Sequence, residues 1–315
     1  MQIETLFGPD MELRQLRYLI AVIDAQSITR ACDVLHVVPS AVSHQLKLLE
    51  QELQSTLLVR GALGVQPTAT GRLLYGQAQA ILRQVADARA CVQVEESQVA
   101  GSVSVAIAGS IAQVLAVPLL AVCRERWPAV VLSIHEGLSG HLVEGVHSGR
   151  FDMGVLYASE ATAKLETRPV VREPFFFGCA RALAPEADGK PMSLQDLARH
   201  PLLLPSLPNA TRGALDRAFA ALDTGYQVAG EVNSTTTQIG AVRAGLGASV
   251  LPWISLRMLR PRRSTVIRPL DVEHLYRDVL TATKPQAVRS RASAMVLAQL
   301  EHLLRDIYAP LASDH

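Results

Sequence analysis

Apolar residues recur at helical spacing through the first hundred positions and then give way to short strand-like runs. From Leu13 to Ile23, the residues Leu16, Leu19, Ile20 and Ile23 fall three or four apart, the pattern of an amphipathic helix. Ile28, Ala31, Cys32 and Leu35 repeat it in a shorter helix for which Ser27 is a cap. Pro39 stands where a first helical turn needs no amide proton, and Val42, Leu46, Leu49 and Leu53 follow at steps of four, three and four, facing inward. The opposite stripe, Ser40, Ser43, His44 and Lys47, consists of donors and a cation that suit base edges and phosphates, or else a solvated face. Residues 27–50 thus predict a helix-turn-helix, with the 13–23 helix completing a three-helix core.

The following stretch, LLVRGALGVQPTATG, is broken by Gly61, Gly64 and Pro67, and Val65 fits one strand of a hairpin, so a wing is expected. Arg60 and Thr68 then fall as phosphate contacts and Thr70 as a cap of the next helix. That helix, about 71–98, carries Leu74, Ala78, Ile81, Val85, Ala88 and Val92 as a heptad seam, which predicts dimerisation; packing against its own domain is the alternative. From Gly101 onward strand candidates (SVSVAIAG, VVLSIHEG, DMGVLYA, PFFFGCA, PLLLP, QVAGEV, GASVLP) alternate with helical patterns such as AVPLLAVCRERW and TRGALDRAFAALD, the texture of an α/β region.

Composition narrows the function classes. The chain has 315 residues, a net charge of +1 and 49% hydrophobic residues, which suits two or three domains, and it has no apolar run long enough to span a bilayer. MQIETLFGPD lacks an export signal's basic start and apolar core, so a cytoplasmic protein is expected. Cys32, Cys91, Cys123 and Cys179 show no metal-ligand spacing, which predicts reduced thiols, with a redox-sensing Cys179 as the minor alternative. GxSxG, HExxH, Walker and GxGxxG motifs do not occur, so neither an enzyme nor a metal or organic cofactor is expected. His135, His141 and His147, six apart, do not share a helical face and are expected at the surface.

From Met11 the chain resembles the LysR-type transcriptional regulators along nearly its whole length. The resemblance rests on LRQLRYLIAV, on Ala31, Leu35 and His36, on SAVSHQLKLLEQEL, on LLVR at 57–60 and on PTATG at 67–71. LLVR, GVQPT, FDMGVLY and NSTTTQIGAVRAGLGASVLP are most similar to the nitrogen assimilation control branch of that family. The resemblance implies a winged helix-turn-helix DNA-binding domain at 11–69 and a linker or dimerisation helix at 70–98. It also implies a periplasmic-binding-protein-like effector domain at 101–315, with subdomain I at about 101–170 and 273–310 and subdomain II at about 171–272.

DNA contacts are then expected from Ser27, Arg30, Pro39, Ser40, Ser43, His44, Lys47, Arg60 and Thr68. Effector contacts are expected from Ser110, Ile111, Ser139, Ser206, Thr235 and Thr236, at strand-to-helix junctions whose hydroxyls also fit ordinary capping. The implied partners are a double-stranded operator, a second copy or a tetramer, RNA polymerase and a small metabolite, a carboxylate being the candidate class. An effector-free regulator is the first alternative, a ligand-binding protein or enzyme the second. Two departures bear on DNA. Val38 and Pro39 replace a polar residue and Gln of the family pattern, and Leu63 replaces a second wing Arg. Residues 11–72 hold six cations (Arg14, Arg17, Arg30, Lys47, Arg60, Arg72) against five acids (Glu12, Asp24, Asp33, Glu50, Glu52), so one head alone is expected to bind weakly.

Overall fold

The computed structural model describes residues 11–61, 64–93, 99–137, 139–184, 190–259, 264–272, 275–286 and 289–312, with side chains at all of these except 87, 89–93 and 312. The head consists of α1 (Leu13–Ala25), α2 (Ile28–Leu35), α3 (Pro39–Glu52), β1 (Leu58–Gly61) and β2 (Gly64–Pro67), and α4 (Ala69–Gln93) leaves it. A capping box of Glu12 and Gln15 opens α1, and Gln26 closes it in the left-handed conformation. Immediately afterwards Ser27 Oγ accepts the Arg30 amide at 3.4 Å and starts α2. This tight turn lets Leu19, Val22, Ala31, Val42, Leu49 and Leu57 meet in one core. Leu53 is not part of it: α3 ends at Glu52, and Leu53, at the cap, is 39% exposed. On α1 the core uses Tyr18 and Val22, while Ile20 and Ile23 are only half-buried.

The wing is an antiparallel pair, Leu58 to Pro67 and Gly61 to Gly64, docked on the α1–α2 turn through Val65 N donating to Gln26 O at 3.0 Å. Gly64 is required there: its φ is +94°, and a Cβ would lie 2.5 Å from Gln26 O. The cap of α4 is Thr68 rather than Thr70, since Thr68 Oγ1 accepts the Gly71 amide at 2.9 Å.

The remaining chain forms two α/β halves. The first holds β3 (Gly101–Ala108), α5 (Gly109–Arg126), β4 (Val130–Gly137), α6 (Ser139–His147) and β5 (Met153–Tyr157), and β6 (Glu166–Ala180) runs from it into the second half. The second holds α7 (Leu194–Leu197), β7 (Leu202–Leu204), α8 (Ala210–Ala221), β8 (Val228–Glu231), α9 (Thr235–Arg243), β9 (Ser249–Pro252), α10 (Trp253–Leu259) and β10 (Thr265–Pro269). The chain then returns through β11 (Tyr276–Thr283) and α11 (Arg291–Ala312). The strands of the large sheet lie in the order β10-β6-β11-β5-β3-β4, with β9 also on β6. The early residues of β6 pair with β11, and Phe176–Ala180 pair with β10, so one strand belongs to both halves. Each half has its own core, around Ile107, Leu115 and Leu300 in one and around Phe175, Phe177 and Leu215 in the other.

Part of the linker helix's seam is covered within the chain. Leu74 packs on the head core and Ala78 is fully buried, so these two seam positions are already covered within the chain. Gly76 lies so close to the first half that a Cβ would meet Ser148 Cβ at 2.7 Å. Tyr75 Oη donates to Asp24 Oδ1 at 2.5 Å, Lys284 Nζ donates to Gln77 Oε1 at 3.3 Å, and Arg83 donates to Gly149 O. Ile81 and Val85 are half-buried, Ala88 is exposed, and the Val92 side chain lies outside those described.

Candidate DNA-binding face and interdomain cleft

On α3 the apolar side faces the core and leaves Ser40, His44 and Lys47 exposed, with Ser43 half-buried beside them. Pro39 is the first residue of this helix, where its missing amide hydrogen costs no hydrogen bond. Arg30 and Arg60 come together from α2 and β1 on the rim of a hollow of about 510 Å³ that Ser27 also lines. The amides of the first turn of α2 and two cations therefore converge on one place, a setting for a backbone phosphate. Thr68 is reassigned: its hydroxyl proton goes to Thr56 O at 2.8 Å and its lone pair to Gly71 N, leaving no donor for a phosphate.

Glu12 pairs with Arg14 at 2.9 Å, Asp24 accepts the Tyr75 hydroxyl, and Glu50 Oε1 accepts the Leu57 and Leu58 amides at 2.7 and 3.1 Å. Three of the five acids are thus held by partners inside the chain.

A cleft of about 450 Å³ separates the two α/β halves. Of the residues expected there, Ser110, Ser139 and Thr235 line it. Ser206 stands behind, donating from both its amide and its hydroxyl to Asn233 Oδ1 at 2.9 Å, and Asn233 lines the wall. Ile111 is a core residue with no exposed surface, because it is on the face of α5 turned toward the sheet. Thr236 is exposed on α9 and outside the lining.

Sequence reasoning missed the floor of this cleft. Arg277 on β11 donates from Nε to Glu173 Oε2 at 2.6 Å and from Nη2 to Ser110 Oγ at 2.9 Å. It lies 3.8 Å from the centre of the Tyr157 ring, and Tyr157 Oη is 2.5 Å from the same Ser110 oxygen. Burial pushes the Tyr157 phenol up, against the opposing pull of Arg277, so it stays protonated. Glu173, fully buried, also accepts the Ile254 amide at 2.7 Å and the Tyr308 hydroxyl at 3.4 Å. The available signal was a pair of opposite charges, Glu173 beside Phe175–Phe177 and Arg277 beside Val279–Leu280, each next to an apolar run.

The charge of Arg277 is already matched by Glu173, and the remaining charged residue of the lining is Glu136, whose carboxylate lies against Gly109 at the start of α5. The starts of α5, α8 and α9 also open on this cleft through Ser110, Thr211 and Thr235, so one carboxylate and three helix N-termini face the same space.

Cys32, Cys123 and Cys179 are free and buried, and burial pushes the Cys179 thiol up to about 11, which removes the thiolate that redox sensing needs. Cys91 lies outside the described side chains. His135, His141 and His147 are all exposed, as expected, and His135 and His141 also approach the segment at Arg150–Phe151. Among the described residues no helix is long and apolar enough to cross a membrane.

Residues 13–72 match the family model of the bacterial regulatory helix-turn-helix protein, lysR family, and residues 96–305 match that of the LysR substrate binding domain. The chain is 33% identical over 250 residues to the nitrogen assimilation regulatory protein nac of Klebsiella aerogenes, covering 79% of this chain and 81% of that one. It is 32% identical to the HTH-type transcriptional regulator BbuR of Bordetella bronchiseptica, covering 73% and 70%. Among solved structures, a full-length OxyR from Pseudomonas aeruginosa, a cysteine-to-aspartate variant, superposes with a TM-score of 0.71 at 23% identity over 95% of this chain and 96% of that one. Full-length CbnR complexed with its target DNA superposes with a TM-score of 0.65 at 23% identity over 94% and 100%.

Proposed function

This chain belongs to the LysR family of DNA-binding transcriptional regulators, and on that premise we propose that it grips an inverted-repeat operator as a homo-oligomer, with two copies of α3 in successive major grooves. The observation that carries this is the exposed ridge of Ser40, His44 and Lys47 beside the Arg30 and Arg60 hollow. Base contacts fall to Ser43 and His44, and backbone contacts to Lys47, Arg30 and Arg60. A second copy is supported by an uncovered apolar patch of Val117 (73% exposed) and Leu120 (45%) on α5 and Val131 (64%) on β4, an edge strand of the sheet. Such a protein works beside the chromosome in the cytoplasm and acts on RNA polymerase from its operator.

The interdomain cleft is the effector site in this reading, with a small polar metabolite as occupant. A ligand held by Ser110 and Ser139 from one half and Thr235 from the other would set the angle between halves and thereby the spacing of the heads. Fluorescence anisotropy of the full chain on promoter fragments at several salt concentrations tests the DNA reading. Lys47→Ala and Arg60→Ala are expected to weaken binding on all sequences and to reduce the salt slope by about one each. Slopes equal to that of the parent chain would remove both residues from the interface.

A further inference from the structure

A cavity of about 700 Å³, larger than the interdomain cleft, lies where α4 meets the first α/β half. Among the described residues its charged lining is Arg83 from α4, Lys284 and Arg289 from the connection between β11 and α11, and one acid, Asp152. That acid is already engaged, accepting the Ser104 amide at 2.7 Å and the Ser104 hydroxyl at 2.8 Å. The partner of Lys284 is the neutral Gln77, at 3.3 Å. Arg289 donates to Thr283 Oγ1 at 2.8 Å and reaches the half-exposed Glu166 only at 3.4 Å, and its buried Nε has no hydrogen-bond partner among the described residues.

Ser290 Oγ accepts the Ser293 amide at 3.1 Å, and both residues line the cavity, so the 22-residue helix α11 opens its positive end on the same space. Ile81 and Pro285 supply an apolar wall.

We propose that this cavity is a second ligand site, for a small phosphorylated metabolite whose phosphate sits among Lys284, Arg289 and Arg83 and whose apolar part lies on Ile81 and Pro285. Against three cations the described lining sets one acid, Asp152, and Arg289 has the half-exposed Glu166 as a further partner, so the cavity keeps a positive surplus that suits an anion, and its volume exceeds that of a bare phosphate. Because the lining comes from α4 on one side and the α11 start on the other, occupancy fastens the helix that carries the head to the regulatory half. By linkage, ligand and operator then alter each other's affinity. The site is separate from the interdomain cleft and does not depend on what that cleft binds.

Calorimetric titration of the full chain with ADP, inorganic phosphate and adenosine as probes tests the proposal. ADP is expected to bind saturably, phosphate to compete with it, and adenosine to give no heat. Lys284→Ala and Arg289→Ala should each weaken ADP about tenfold, the loss of one charge-assisted contact. Gln84→Glu, an exposed change on α4 that spares the fold, should weaken it as well, whereas Ser110→Ala in the cleft should not. No saturable ADP binding, equal binding of adenosine, or an unchanged ADP affinity in the Gln84→Glu chain would overturn the proposal.

Discussion

At the scale of single residues, the pair Arg277 and Glu173 carries the sharpest expectation. Both are almost fully buried, and Glu173 also holds the Ile254 amide at the start of α10, so each half of the regulatory region leans on this pair. Glu173→Ala leaves the guanidinium unpaired and should cost about 3–5 kcal/mol of unfolding free energy, whereas the joint replacement Glu173→Leu with Arg277→Met should recover most of that loss. Urea denaturation checks both, and a single variant as stable as the parent chain would contradict the assignment. Gly64→Ala is the second case. The left-handed backbone and the Gln26 carbonyl 2.5 Å from a new Cβ should undock the wing, at about 1–3 kcal/mol, and weaken operator binding with it. A far milder outcome for Gly61→Ala, where nothing lies within 4 Å of the added Cβ, is the control.

At the scale of elements, the helices of the head were legible because a three-helix core forces apolar residues onto strict spacing, from Leu16 and Leu19 on α1 to Val42, Leu46 and Leu49 on α3. The strands of the first half that lie in the middle of the sheet were legible for the opposite reason, as unbroken apolar runs. What stayed hidden were β10, β11 and the first part of β6. Arg268, Arg277, Asp278, Arg172 and Glu173 interrupt their sequences, and only the fold shows that several of these charges pair with one another across strands. The linker helix was legible only in part. A heptad shows that a face needs cover without saying by what, and in α4 the cover for Leu74 and Ala78 comes from the chain itself. The apolar patch on α5 and β4 is a better place to break self-association. Val117→Asp should therefore lower the mass measured by sedimentation and weaken binding to two half-sites more than to one. An unchanged mass would move the interface elsewhere.

At the scale of the whole molecule, the junction of head, linker and regulatory half should respond to pH. His135 and His141 are held below their usual value by burial first and by Arg150 second, so in the folded chain they stay neutral where the unfolded chain would charge. The stability they contribute is present above the unfolded value of about 6.5 and is lost as pH falls through the folded values. The urea midpoint should thus drop between neutral and mildly acidic pH, and His135→Gln with His141→Gln should flatten that drop. An identical profile in the double variant would show that the acid sensitivity arises from other groups.

The regulator assignment stands on α3 reading duplex DNA, and selection of operators from random sequence by the full chain addresses that point most directly. The parent chain should enrich an inverted repeat with half-sites about one helical turn apart. Ser43→Ala and His44→Ala should enrich repeats that differ at the positions those side chains face. Recovery of one unchanged consensus by all three chains, or of no repeat by any of them, would contradict a recognition role for this helix.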